Sequence, residues 1–98
     1  MALEVANEIL NQLGGKKFLA MTGCYNLVAD NNTLRMRLRR NKANATHFEV
    51  VLNSDDTYNI RFAKVIGVNY TPVKMVVGVY SDMLQSIFTE VTGLYTSL

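Results

Sequence analysis

The sequence predicts an α+β fold: an antiparallel sheet of four or five strands with an N-terminal and a C-terminal helix packed on it. Three observations predict it. Apolar residues recur at helical spacing near both ends, the segments between them alternate with a period of two, and clusters of Gly, Asn and Asp separate the segments. The chain has 98 residues, so one domain over 1–98 is expected. Apolar residues form 49% of it, which supports a core and argues against disorder.

The first helix is expected over 3–13. Leu3, Ala6, Ile9, Leu10 and Leu13 share one face, and Glu4, Asn7, Glu8 and Asn11 share the other. Gly14-Gly15 stops it. A long strand then reads from Phe18 to Ala29, broken near Gly23, where a glycine would mark a bulge or bend. Asp30-Asn31-Asn32 is a turn signal.

Residues 33–40 form the clearest strand, with Leu34, Met36 and Leu38 alternating with Arg35, Arg37 and Arg39. After a polar loop, 46–53 and 57–66 read as a hairpin with Phe48, Val50, Leu52, Tyr58, Ile60 and Phe62 inward. A short final strand covers 73–79, with Pro72 at its start. The last helix covers about 82–92, with the stripe Leu84, Ile87, Phe88 and Val91. Ser81 or Asp82 is the expected N-cap, Asp82 and Gln85 having capping-box spacing. Gly93 ends the helix, and Leu94 supplies an apolar contact beyond it.

Enzyme chemistry is not expected, and no cofactor or metal is implied. His47 and Cys24 are the only residues of their kinds, whereas a metal site needs several converging ligands. A Cys–His dyad is conceivable, but a small buried Cys24 and a surface His47 are the simpler reading. Gly14-Gly15-Lys16-Lys17 has no Ser or Thr after its first lysine, and a helix rather than a strand precedes it, so it is not a phosphate loop. A lone cysteine excludes an internal disulfide. The start Met1-Ala2-Leu3-Glu4 lacks the basic region of a signal peptide. The longest apolar stretch, 73–80, is too short to cross a bilayer. A cytoplasmic setting without membrane attachment is expected.

The sharpest local feature is Arg35, Arg37 and Arg39 on one strand face. Alternate residues lie about 6.6–6.8 Å apart along a strand, close to the phosphate spacing of an extended single strand, on the order of 6–7 Å. Arg40 and Lys42 extend the charge into the loop, and Arg61 joins the same face if sheet order follows chain order. Tyr25, Tyr70 and Tyr80 are candidate stacking platforms. The competing reading is a solvated face whose arginines pair with Glu49 across strands, with Glu49 and Asn59 diluting the field. The formal net charge of +2 is too small to decide between them.

Leu13-Gly14-Gly15-Lys16-Lys17-Phe18, continuing to Met21-Thr22-Gly23, together with Thr89-Glu90-Val91-Thr92-Gly93-Leu94-Tyr95, resembles a family of small proteins carried by phages and prophages. The resemblance covers roughly a fifth of the chain. It implies a mobile-element context in a host cytoplasm and carries over no functional residue. The expectation is a non-enzymatic binder of nucleic acid, DNA or RNA and single-stranded, through Arg35, Arg37, Arg39, Arg40, Lys42 and Arg61. The alternative is a protein-interaction module, such as a phage accessory, anti-defence or virion component. A homodimer is also expected, because Val51, Val65, Val68, Val76, Leu94, Tyr95 and Leu98 exceed what one sheet face and two helix stripes require.

Overall fold

A computed structural model describes residues 3–94. Helix α1, Leu3–Leu13, turns Ala6, Ile9 and Leu13 inward. It ends at Gly14, whose φ of 126° is open to glycine and whose N–H reaches the carbonyls of Leu10 and Asn11 at 3.1 Å.

The chain then departs from the expected strand over 18–29. Gly15–Thr22 is a second helix, α2, and only Tyr25–Ala29 is a strand, β1. Lys16, Lys17, Leu19, Ala20 and Met21 are good helix formers. Phe18 and Thr22, four apart, are the helix residues that are buried, which is a helical rather than an alternating demand. Gly23 is therefore a left-handed helix cap at φ 72°, its N–H bonded to the Leu19 carbonyl at 2.9 Å, and not a strand bulge. A ladder irregularity does occur between Tyr25 and Val28, where Asn26 takes φ 53°. Gly14-Gly15 thus lies at the junction of two helices, Gly15 opening α2, which also lacks the strand-then-helix setting of a phosphate loop.

Four more strands complete the sheet: β2 Thr33–Arg37, β3 His47–Leu52, β4 Tyr58–Ile66 and β5 Asn69–Val79. They pair as antiparallel neighbours in chain order, leaving β1 and β5 as edges. The strand expected to reach residue 40 stops at Arg37. Leu38 still donates to the Thr46 carbonyl at 2.8 Å. The buried Asn41 amide then organises the loop, donating to the carbonyls of Arg39 and Ala45 at 2.8 Å each. The last strand starts at Asn69 rather than 73. A two-residue turn, Gly67-Val68, joins it to β4, with Gly67 at φ 59° in the first turn position, which favours glycine in a tight hairpin. Two ladder irregularities between β4 and β5 disturb the period-two signal, and Pro72 is tolerated because β5 is an edge.

Ser81–Met83 is a single 3-10 turn leading into α3, Leu84–Thr92. The expected cap by Ser81 or Asp82 does not form; the N-cap positions are Tyr80 and Met83, and neither makes a side-chain cap bond. Gly93 closes α3 in the left-handed conformation, as expected, and Leu94 packs against the core.

Leu34, Met36, Phe48, Val50, Ile60 and Phe62 form the apolar sheet face, with the helices over it. Phe88 of α3 is the hub: its ring lies 5.0 Å from both Phe18 and Phe48 and 6.2 Å from Phe62. Of the surplus apolar residues, Val76 turns inward opposite Ile60, Val51 and Val65 are half-buried, and Val68 is 99% exposed at the hairpin tip. Tyr95 and Leu98 lie outside the described residues. No helix among the described residues is long and apolar enough to cross a membrane.

Candidate nucleic-acid interface

Putting the helices on one face leaves the other face of the sheet open. Alternation sends Arg35 and Arg37 of β2, His47 and Glu49 of β3, and Arg61 of β4 to it. The register then aligns one row across all five strands: Val28, Arg35, Glu49, Arg61 and Met75. The next row holds Arg37, His47 and Ala63. Three arginines face one carboxylate. The other acids among the described residues lie on helices or turns: Glu4 and Glu8 on α1, Glu90 on α3, Asp82 just before it, and Asp30, Asp55 and Asp56 between strands.

The sequence-predicted residues fare differently. Arg35 donates from Nε to Glu49 at 2.6 Å, and an Arg61 η nitrogen lies 3.5 Å from the same carboxylate. The cross-strand pairing thus forms for two of the six residues. Glu49 strengthens the hold of Arg35 on its proton. Both guanidinium groups remain about half exposed, and such pairs contribute only about 0–1 kcal/mol. Among the described residues, the η nitrogens of Arg35 make no hydrogen bond. Arg37 is exposed on the same face.

Arg39 is beyond the strand end. Its guanidinium lies over the Tyr25 ring, 4.1 Å from the centroid, and its Nε donates to the Gly23 carbonyl at 3.2 Å. Tyr25 is therefore already occupied on one face. Arg40 and Lys42 are exposed in the loop, and the aliphatic stem of Lys42 runs beside Gly93. The structure gathers Arg35, Arg37 and Arg61 into one face and places Arg39, Arg40 and Lys42 past the end of β2. No family model, curated protein or solved structure matches this chain.

Sequence reasoning read His47 as a surface residue and named Tyr70 as a stacking candidate without placing it. The His47 Nδ1 lies 2.7 Å from the Thr46 hydroxyl, which also accepts from the Val65 N–H at 2.8 Å. Burial, and then the charge of Arg37, holds the His47 pKa below its usual value, which favours the neutral ring. Tyr70 of β5 pairs with Val65 and is half exposed. Arg35, His47, Arg61, Ala63, Val65 and Tyr70 bound a hollow of about 160 Å³. The alternation of β3, which sends His47 and Glu49 to one face, was the available sequence signal; the neighbours from β4 and β5 came with the register.

Cys24 belongs to the buried core cluster, while His47 faces the hollow, so the sheet separates them and no dyad forms. The Cys24 N–H donates to the Thr22 hydroxyl at 3.3 Å, and burial pushes the thiol pKa up, away from nucleophilic use.

Proposed function

We propose that this chain is a non-enzymatic binding protein for single-stranded DNA or RNA, using the open sheet face. The observation that carries the reading is the collection of Arg35, Arg37 and Arg61 on a face with Glu49 as its single acid. An open sheet face can lie along an extended strand, and exposed guanidinium groups bind phosphate through several donors. Arg40 and Lys42 extend the basic surface at one end, while Arg39 supports it through Tyr25. The mobile-element resemblance fits a role in phage replication or recombination in a host cytoplasm.

The test is fluorescence anisotropy with labelled single- and double-stranded oligonucleotides at two salt concentrations. Single strands should bind more tightly, with affinity falling steeply as salt rises. Absence of binding at low salt would defeat the reading.

A second reading, self-association or protein contact through β5, is favoured by a separate observation. Tyr70, Met75 and Val77 on this edge strand and Ile66 and Val68 near its hairpin tip are all more than half exposed. Long apolar edges pair with other strands unless blocked, and Lys74 is the only charged residue of β5. Light scattering distinguishes a dimer from a monomer mass of 11.0 kDa.

A further inference from the structure

Building on the single-strand reading, we propose that the hollow beside Tyr70 seats one pyrimidine base of the bound strand, with cytosine preferred over thymine through Glu49. Size is the first argument. The hollow measures about 160 Å³, and an apolar cavity of about 150 Å³ holds one benzene ring. One six-membered ring therefore fits.

Lining is the second argument. Ala63 and Val65 supply an apolar floor, and the half-exposed Tyr70 ring bounds one side. A planar base placed there gains the sequence-tolerant aromatic contact that single-strand binders use. The rim supplies charge. Arg35 and Arg61 flank the hollow, within reach of a phosphate next to the seated base.

Selectivity follows from the third group of the rim. Glu49 lies between the two arginines and also borders the hollow. An ionised carboxylate has about four acceptor positions, so two arginine contacts leave it able to accept another hydrogen. Cytosine offers its N4 amino hydrogens. Thymine presents the O4 acceptor at the same place, which meets the carboxylate with no proton between them.

The experiment is anisotropy of the full chain with oligo-dC and oligo-dT of equal length at one low salt concentration. Wild type should bind dC about tenfold more tightly, the lower part of what a base-edge contact gives. Glu49→Gln should bring the two within about twofold, because an amide donates as well as accepts. Tyr70→Ala should weaken both by about fivefold or more while leaving the salt slope unchanged, and Tyr70→Phe should restore them. Equal dC and dT binding by wild type, with Tyr70→Ala indistinguishable from it, would overturn the base site and leave phosphate binding standing. Failure of wild type to bind either strand would remove the single-strand reading itself. Should Tyr70→Ala not fold by circular dichroism, the Glu49→Gln comparison decides.

Discussion

Arg39 covers the ring of Tyr25 at 4.1 Å, and in the same pose its Nε bonds the carbonyl of Gly23. A side chain expected to contact a ligand also ties the segment after β2 to the joint between α2 and β1. Gly23 has no room for more: a Cβ there would meet the Arg39 Cγ at 2.8 Å.

This contact is expected to act as a unit. Arg39→Ala and Tyr25→Ala should each cost about 0.5–1 kcal/mol, the range of an exposed cation–π contact. The double variant should cost less than the sum. Thermal denaturation of the four proteins in one buffer measures this, and strict additivity would show that the two residues act separately.

Releasing the arginines should raise binding. Glu49→Gln removes the single acid of the open face and frees Arg35 and Arg61. Affinity for oligo-dT should rise several-fold and the salt dependence should steepen. Stability should change by about 1 kcal/mol at most, because both arginines that pair with Glu49 are about half exposed. Weaker dT binding by a folded variant would mean that Glu49 orients the arginines rather than masking them.

Changing Arg35, Arg37 and Arg61 together to Ser should flatten the salt slope by about 0.7 for each lost phosphate contact. The inward residues of these strands are untouched, so each change should cost within about 0.5 kcal/mol. An unchanged slope with unchanged melting would identify the stripe as a solvated face.

Phe88→Ala should be the most damaging of these changes. Its ring joins α2 to two central strands, and it is fully buried. A buried Phe→Ala costs about 3–5 kcal/mol, against a total of about 5–15 kcal/mol for a domain. Urea denaturation should show a markedly lower midpoint or no folded baseline.

Stability should fall in alkali. Burial raises the folded-state pKa of Cys24 above 9.0 and that of Tyr58 above 10.0. The neutral forms are favoured in the fold, so this stabilisation is complete below the unfolded pKa values and is lost as pH rises through the folded ones. The melting temperature should drop from about pH 9 upward, and Cys24→Ala should remove part of that slope. Acid sensitivity has the opposite sign for His47, whose depressed pKa favours its neutral form in the fold; that stabilisation is lost as pH falls through 6.5 and below.

Much of the fold was legible because the signal is local. The stripes of α1 and α3 and the alternation through β2, β3 and β4 place Ile9, Leu13, Met36, Phe48, Ile60, Phe62 and Phe88 inward, and these residues form the core. Two elements were not legible. In α2 only Phe18 and Thr22 are buried, too few to reveal a period in eight residues beside an apolar strand. β5 is exposed at most of its positions, including all of its first four, so no inward and outward alternation marks them.

The candidate site shows the same division more sharply. That Arg35 and Arg37 point away from the core follows from the two-residue repeat of a strand, a property of adjacent residues alone. Which groups they meet depends on register. Arg35 and Glu49 are 14 positions apart, and a slip of one residue between β2 and β3 would send one of the two facing sets of side chains to the opposite face of the sheet. The turns and the helix-covered core hold one register, and that choice bonds Arg35 to Glu49, brings Arg61 beside it, and leaves Arg37 outside that ion-pair cluster, 6.0 Å from the centre of the Tyr25 ring. Tyr70 enters the hollow for the same reason: β5 folds back at Gly67-Val68 and pairs Tyr70 with Val65. Local spacing determines which way each side chain faces; the pairing of strands distant in sequence determines which side chains become neighbours.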